Sequence, residues 1–178
     1  MRNLVNFILI YDFIIHEKNM TKIEKYINKC FRKILEAEVY DVATKTPLDF
    51  AENLSNRFNN NIYIKREDMQ PVFSFKLRGA YNKILKLLKK KKIYHLIAAS
   101  AGNHAQGVAL AALKLKIKAS IIMPKSTPKI KVDAVKALKA RVILHGDSYD
   151  DAYEYALKTA RTKKYDFIHP YNDLDVIA

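Results

Sequence analysis

The hydrophobic positions of this chain change their period along the sequence. Between residues 21 and 35 apolar side chains recur at spacings of three and one, which predicts an amphipathic helix, and Thr21 stands where a helix cap is needed. Residues 48–58 could form a second helix, and residues 61–65 alternate like a short strand. The later segments are predicted as helix 75–89, strand 93–99, helix 103–114, strand 119–123, helix 129–139, strand 141–144, helix 149–162 and strand 166–168.

This alternation predicts an α/β fold with a doubly wound, mostly parallel sheet. Strands separated by helices of this length are joined by right-handed crossovers, which place helices on both faces of the sheet. A chain of 178 residues suits one substantial core. Ligands of such sheets bind beyond the carboxyl ends of strands, against helix N-termini. We therefore looked for chemistry in the segments that follow strands 61–65 and 93–99.

The first twenty residues differ from the rest of the chain. Residues 4–15 are almost wholly apolar and are interrupted only by Asn6 and Asp12. The stretch is shorter than the roughly 20 residues that a membrane span needs, and no small-residue cleavage site follows it. We interpret residues 1–20 as an apolar N-terminal extension and expect no membrane partner, with a membrane anchor as the alternative.

The formal net charge of +14 raises the possibility of a nucleic-acid partner. The positive residues are mostly lysines spread along the chain, without interleaved aromatic residues or a groove-reading motif, so we expect no nucleic-acid partner. Cys30 is the single cysteine, which excludes an internal disulfide, and no Cys/His cluster has metal-ligand spacing. These features predict a cytoplasmic protein without a metal.

The first segment whose residues could take part in catalysis is residues 65–80, KREDMQPVFSFKLRGA, which runs from a strand through a loop into a helix. Lys76 falls in the first turn of that helix, where apolar Phe73, Phe75 and Leu77 surround it in sequence. A desolvated amine in such a place is a candidate nucleophile toward an aldehyde. On residue type alone, an ordinary surface lysine is the alternative.

The second segment is residues 99–107, ASAGNHAQG, which opens the next helix directly after an apolar strand. Small residues let backbone N–H groups approach an anion closely, and the helix N-terminus favours negative charge. Asn103 and Gln106 add neutral hydrogen-bonding groups that can orient a ligand. The alternative is a plain strand-to-helix turn in which Gly102 supplies backbone freedom and His104 has a packing role.

Together, the two segments resemble the threonine dehydratases of the tryptophan-synthase-β-like, fold type II group of pyridoxal phosphate enzymes. Residues 74–80 match the S-F-K-x-R-G-A motif of these enzymes, and residues 100–107 match their S-A-G-N-H-A-Q-G motif. The likeness extends from about Val39 to the last residue. Residues 65–80 look more like the biosynthetic enzyme of isoleucine synthesis than its catabolic relative.

The resemblance implies a role for each matched residue. Lys76 would be the catalytic lysine, holding pyridoxal 5'-phosphate as a Schiff base and removing the Cα proton, with Phe75 as a further cofactor-binding residue. Asn103 would donate a hydrogen bond to the ring oxygen of the cofactor. The residues implied in substrate binding are Ser100, Ala101, Gly102, Asn103 and His104.

The implied activity is dehydration and deamination of L-threonine, with L-serine as a second substrate, to give 2-oxobutanoate and ammonia from threonine. This is the first step of isoleucine biosynthesis, and the resemblance implies a homo-oligomer, a tetramer in the family. Ala101 stands where related serine racemases carry a second acid/base serine, which favours dehydration over racemisation. Serine dehydratase, cysteine synthase or threonine synthase activity, or an inactive remnant, remain as alternatives.

The resemblance also sets an expectation for domain organisation. Residues 21–178 correspond to the N-terminal part of the catalytic domain, with its small subdomain nearly complete. The family's glycine-rich phosphate loop, the residue facing the pyridine nitrogen and a regulatory domain for isoleucine lie beyond this part. The four glycines of the sequence form no such loop. We therefore expect a truncated version of the fold.

Overall fold

The computed structural model describes residues 21–178, so the predicted extension, residues 1–20, lies outside the described residues. The chain divides into two units, of which the first contains helix α1 (Lys22–Leu35) and the second runs from Glu38 to Ile177. A capping box begins α1, because the Thr21 hydroxyl accepts from the Glu24 N–H and the Glu24 carboxylate accepts from the Thr21 N–H. This confirms the predicted helix and its cap.

The second unit alternates strands and helices from Lys76 onward, as predicted. Short 3₁₀ turns lie at Val39–Asp41 and Glu67–Met69. None of the helices within residues 21–178 has the length and apolar character to span a membrane. The elements are β1 (Leu48–Phe50), α2 (Glu52–Phe58), β2 (Tyr63–Lys65), α3 (Lys76–Lys90), β3 (His95–Ala99), α4 (Asn103–Lys114), β4 (Lys118–Met123), α5 (Lys129–Ala137), β5 (Arg141–Leu144), α6 (Tyr149–Lys163), β6 (Asp166–Phe167) and α7 (Leu174–Ile177).

The main sheet has the order β5-β4-β3-β6, and each neighbouring pair of strands is parallel. Its two faces are covered by different helices, because successive side chains of a strand point to opposite faces. Leu96 and Ala98 of β3 belong to a core shared with α3, α4 and α5. Ile97 and Ala99 belong to a core shared with α6. The predicted α/β, doubly wound parallel sheet is confirmed.

The predicted helix over residues 48–58 is wrong in its first half. Residues 48–50 form β1, which pairs antiparallel with β2, and only residues 52–58 are helical. The pairing is extended by a bond from the Arg66 N–H to the Pro47 carbonyl, and the Phe50 and Tyr63 rings lie 5.3 Å apart across it. Cross-strand contacts of this kind come from a distant segment, so they override the local helical preference.

Candidate active site

Lys76 is the first residue of α3, and its amine reaches a backbone carbonyl near the end of the chain. The Nζ atom donates a 2.9 Å hydrogen bond to the carbonyl oxygen of Pro170 and lies 5.6 Å from the centroid of the Phe75 ring. The Lys76 side chain is half-buried, and no carboxylate within residues 21–178 forms an ion pair with it. The amine is thus held by one neutral acceptor, so a ligand gains access to it when a single hydrogen bond breaks.

The loop that joins β3 to α4 leaves backbone donors free. The Ser100 N–H donates to the Ile122 carbonyl of β4, and the Gly102 N–H donates to the Ser100 hydroxyl. In the described part of the chain, the N–H groups of Ala101 and Asn103 have no hydrogen-bond partner. A Cβ added at Gly102 would meet nothing within 4 Å. The loop therefore presents unpaired donors at a helix N-terminus beside open space, the usual arrangement for binding an anion.

Close packing of α3 on α4 brings Lys76 to this loop. A Cβ added at Gly107 would lie 2.9 Å from the carbonyl oxygen of Lys76 and 3.0 Å from its carbonyl carbon, so only glycine fits there. Asn103, the first residue of α4, precedes Gly107 by four residues, or about 6 Å of rise. The two predicted motifs consequently meet at one end of the helix pair.

His104 faces the protein interior. Its side chain is buried, its Nε2 atom lies 3.0 Å from the Ile168 carbonyl oxygen, and its Nδ1 atom has no partner among the described residues. Burial lowers the pKa of His104 to about 4, and the nearby charge of Lys76 acts in the same direction. The imidazole is therefore neutral, donates from Nε2 to Ile168 and joins α4 to the end of β6.

Two residues near the end of the chain were missed by the sequence analysis. Pro170 supplies the carbonyl that holds the Lys76 amine, and His169 shapes the turn around it, since its Nδ1 atom accepts from the N–H groups of Tyr171 and Asn172. A carbonyl acceptor is present in every residue type, so no sequence signal could have identified Pro170. Gly107 lay within a predicted motif, but its role depends on a contact with another helix.

The described residues fit one side of the pyridoxal phosphate that the resemblance implies. The Lys76 amine suits an aldehyde, the free N–H groups beside Gly102 suit a carboxylate, and the exposed Asn103 side chain can reach a ring oxygen. Among the described residues, Gly79 and Gly107 are packed against neighbouring backbone, so neither is open to a phosphate group. No group of side chains within residues 21–178 could hold a metal ion.

Residues 39–178 match the family described as pyridoxal-phosphate dependent enzymes. The chain is 55% identical over 145 residues to a threonine dehydratase from Nicotiana attenuata, which is 82% of this chain and 24% of that protein. It is 53% identical over 150 residues to a biosynthetic L-threonine dehydratase from Burkholderia multivorans, covering 83% of this chain and 30% of that protein. It therefore spans about a quarter to a third of the length of these curated relatives.

Solved structures show the same relationship. The processed form of threonine deaminase isoform 2 from Solanum lycopersicum has a TM-score of 0.80 and 47% identity, covering 88% of this chain and 43% of that one. Maize serine racemase has a TM-score of 0.76 and 28% identity, and the match covers 82% of this chain and 45% of that one. Because the family match extends over most of the sequence, the chain belongs to the pyridoxal-phosphate dependent enzyme family.

Proposed function

We propose that this chain supplies the lysine and the carboxylate-binding loop of a threonine dehydratase, which converts L-threonine to 2-oxobutanoate and ammonia with pyridoxal 5'-phosphate. The observation that carries the proposal is the contact of Gly107 with the Lys76 backbone, which packs the start of α3 against the helix that the Ser100–Asn103 loop opens. The substrate is supported by relatives named threonine dehydratase at 53% and 55% identity. Since the chain spans only part of those relatives, the activity of the whole enzyme belongs to the proposal.

The chemistry needs an amine that can both form a covalent bond and move a proton. Pyridoxal phosphate, when bound, supplies an aldehyde for amines and a ring that accepts the electrons of the Cα–H bond. Lys76 would hold the cofactor through the amine that donates to the Pro170 carbonyl here, and once the substrate's amine had taken its place the freed Lys76 amine would remove the Cα proton of the substrate. The Phe75 ring beside Nζ limits the access of water from one side.

The loop after β3 orients the substrate. The substrate carboxylate would bind to the Ser100 hydroxyl and the N–H groups of Ala101, Gly102, Asn103 and His104, and those of Ala101 and Asn103 have no partner among the described residues. The Asn103 amide is left for the ring oxygen. Fixing the carboxylate directs the Cα–H bond toward Lys76. The Ala101 methyl offers no proton to the opposite side of Cα, which disfavours racemisation.

A turnover assay tests this function. The purified 178-residue chain with pyridoxal phosphate is expected to release 2-oxobutanoate and ammonia in equal amounts from L-threonine, with L-serine as a second substrate. Lys76→Ala should abolish release, because no other residue here combines the two roles of the amine. Release that persists in Lys76→Ala, or a folded chain that binds the cofactor and releases nothing, would contradict the proposal for this chain.

We further infer a cytoplasmic location and a homo-oligomeric whole enzyme. A single cysteine, Cys30, leaves no internal disulfide to protect, which suits a reducing compartment. Oligomerisation is carried over from the family alone. Light scattering on the purified protein measures it directly, with a tetramer as the expected state of the complete enzyme.

A further inference from the structure

The helix turn that carries Lys76 begins without a side-chain cap of the usual kind. Phe75 stands at the cap position and makes no side-chain hydrogen bond to the helix. The segment before it, residues 70–75, contains no helix or strand, and Phe73 adopts a left-handed φ of 55° that bulky side chains rarely accept. The Ser74 hydroxyl accepts from the Lys76 N–H at 3.2 Å, and contacts from elsewhere add to this one local bond in holding the turn in place.

Arg78 makes the strongest such contact. It lies two residues after Lys76, and its guanidinium donates from Nε to Oε2 of Glu67 at 2.8 Å and from Nη2 to Oε1 at 2.9 Å. This two-point geometry fixes both the distance and the orientation of the two groups. The side chains of Arg78 and Glu67 are 22% and 18% exposed, so water competes weakly for the pair.

Glu67 is itself fixed from two further directions. The Thr46 hydroxyl donates to its Oε1 atom at 2.7 Å, and the buried Gln70 amide donates to the same carboxylate at 3.2 Å. Gln70 in turn exchanges hydrogen bonds with the backbone of Thr44, donating to its carbonyl and accepting from its N–H. Two chain segments, residues 44–46 and 67–70, thus converge on Arg78.

The electrostatics agree with this geometry. The bonds from Arg78, with those from Thr46 and Gln70, lower the pKa of Glu67 to about 2, so the carboxylate stays ionised throughout the range of ordinary assays. Removing Arg78 would leave a charged, mostly enclosed carboxylate without its main partner. The segment that leads to Lys76 would then have to rearrange.

We propose that the Arg78–Glu67 pair is a positioning device that sets the first turn of α3 so that the Lys76 amine faces the Ser100–Asn103 loop. The inference rests on the proposed function for the role of Lys76. Neither side chain contacts the amine itself, so both act through the backbone that they hold. The half-buried neighbour Arg66, which pairs with Asp49 and Asp68 instead, provides a matched control.

The test compares Arg78→Ala, Arg78→Lys, Glu67→Gln and the control Arg66→Ala with the unaltered chain. Each protein is incubated briefly with pyridoxal phosphate, reduced with borohydride, digested and analysed by mass spectrometry. The measured quantity is label on Lys76 relative to label on the exposed Lys125. Circular dichroism ensures that only folded variants are compared, and Glu67→Gln, which keeps the shape of the side chain, serves if Arg78→Ala does not fold.

We expect Arg78→Ala to lower the Lys76-to-Lys125 ratio by about tenfold or more, since misplacing a reacting group by about 1 Å can cost roughly a hundredfold. Arg78→Lys should recover little of the labelling ratio that Arg78→Ala loses, because an ammonium cannot reproduce the two parallel hydrogen bonds of the guanidinium. Arg66→Ala should leave the ratio unchanged. An unchanged ratio in both Arg78→Ala and Glu67→Gln would overturn the proposal.

Hydrogen exchange without cofactor separates this proposal from the proposed function. Backbone amides of residues 72–79 should exchange faster in Arg78→Ala than in Arg66→Ala. If the unaltered chain shows no preferred labelling of Lys76, the proposed function fails, and the positioning role is then judged on exchange alone. Equal exchange in the two variants would overturn it.

Discussion

Gly107 packs against the backbone of Lys76, and this contact holds α3 and α4 close together. The Cβ of an alanine at position 107 would lie 2.9 Å from the Lys76 carbonyl oxygen, and a backbone atom cannot rotate out of the way. Gly102 differs, because an added Cβ there would meet nothing within 4 Å. Residues of one type in one motif thus have different physical roles.

Gly107→Ala should therefore destabilise the fold. Overpacking costs about 1–3 kcal/mol, which exceeds the gain of about 1 kcal/mol in helix propensity. Urea denaturation measures the difference, with Gly102→Ala as the control, for which we expect a change below about 1 kcal/mol. Equal stability of the two variants would show that α3 and α4 do not depend on this close approach.

His104 makes the stability of the fold depend on pH. Its pKa is lowered to about 4 in the folded protein because burial penalises the charged ring, so the unfolded chain binds the proton more readily. The stability it contributes is fully present above its ordinary pKa of about 6.5 and is lost as pH falls through about 4. The shift corresponds to about 3 kcal/mol.

Denaturation of His104→Gln between about pH 7 and about pH 4 checks this dependence. The variant should lose less stability than the unaltered chain over that range. Some loss should remain, because burial also lowers the pKa of His95 and His169. The pKa of Glu67 is lowered to about 2, so the stability that Glu67 contributes is lost mainly below this pH range. Parallel pH profiles for the two proteins would contradict the assignment of a neutral, buried His104.

At the scale of elements, local pattern and distant contact contribute differently. The predicted bounds of α4 and β5 agree with the structure. The spacing of apolar residues and the turn residues between a strand and a helix are both local signals in the sequence. β1 was not predicted, because its partner strand starts fifteen residues after its own start. The motifs around Lys76 and Asn103 were likewise visible in sequence, whereas their meeting at Gly107 and the Arg78–Glu67 pair depend on tertiary contacts.

The helix α6 covers the second face of the sheet with small side chains. Ala152 and Ala156 are fully buried against Ile97, Ala99 and Ile122, which leaves no space for a larger group. This stripe holds the helix close to the sheet.

Ala156→Leu should consequently lower the free energy of unfolding by about 1–3 kcal/mol. Lys158→Leu, on the exposed side of the same helix, should change it by less than about 0.5 kcal/mol. Thermal or urea denaturation of both variants provides the measurement. If the buried substitution were as well tolerated as the exposed one, α6 would not be packed as closely on the sheet as the structure shows.

At the scale of the molecule, the chain holds a defined part of a larger family architecture. It spans 24% and 30% of two curated threonine dehydratases and 43% of a solved threonine deaminase chain. That part includes Lys76, which begins α3, and the loop proposed for the substrate carboxylate, which joins the carboxyl end of β3 to α4. The net charge of +14 favours the anionic pyridoxal phosphate through long-range attraction.

An absorption spectrum tests whether Lys76 of this chain holds pyridoxal phosphate. The purified 178-residue chain mixed with the cofactor should develop the visible band of a lysine-bound aldehyde. The band should be absent in Lys76→Ala and retained in Lys125→Ala, whose exposed lysine lies in a different loop. A folded chain without the band, or a band that survives Lys76→Ala, would show that Lys76 does not hold the cofactor.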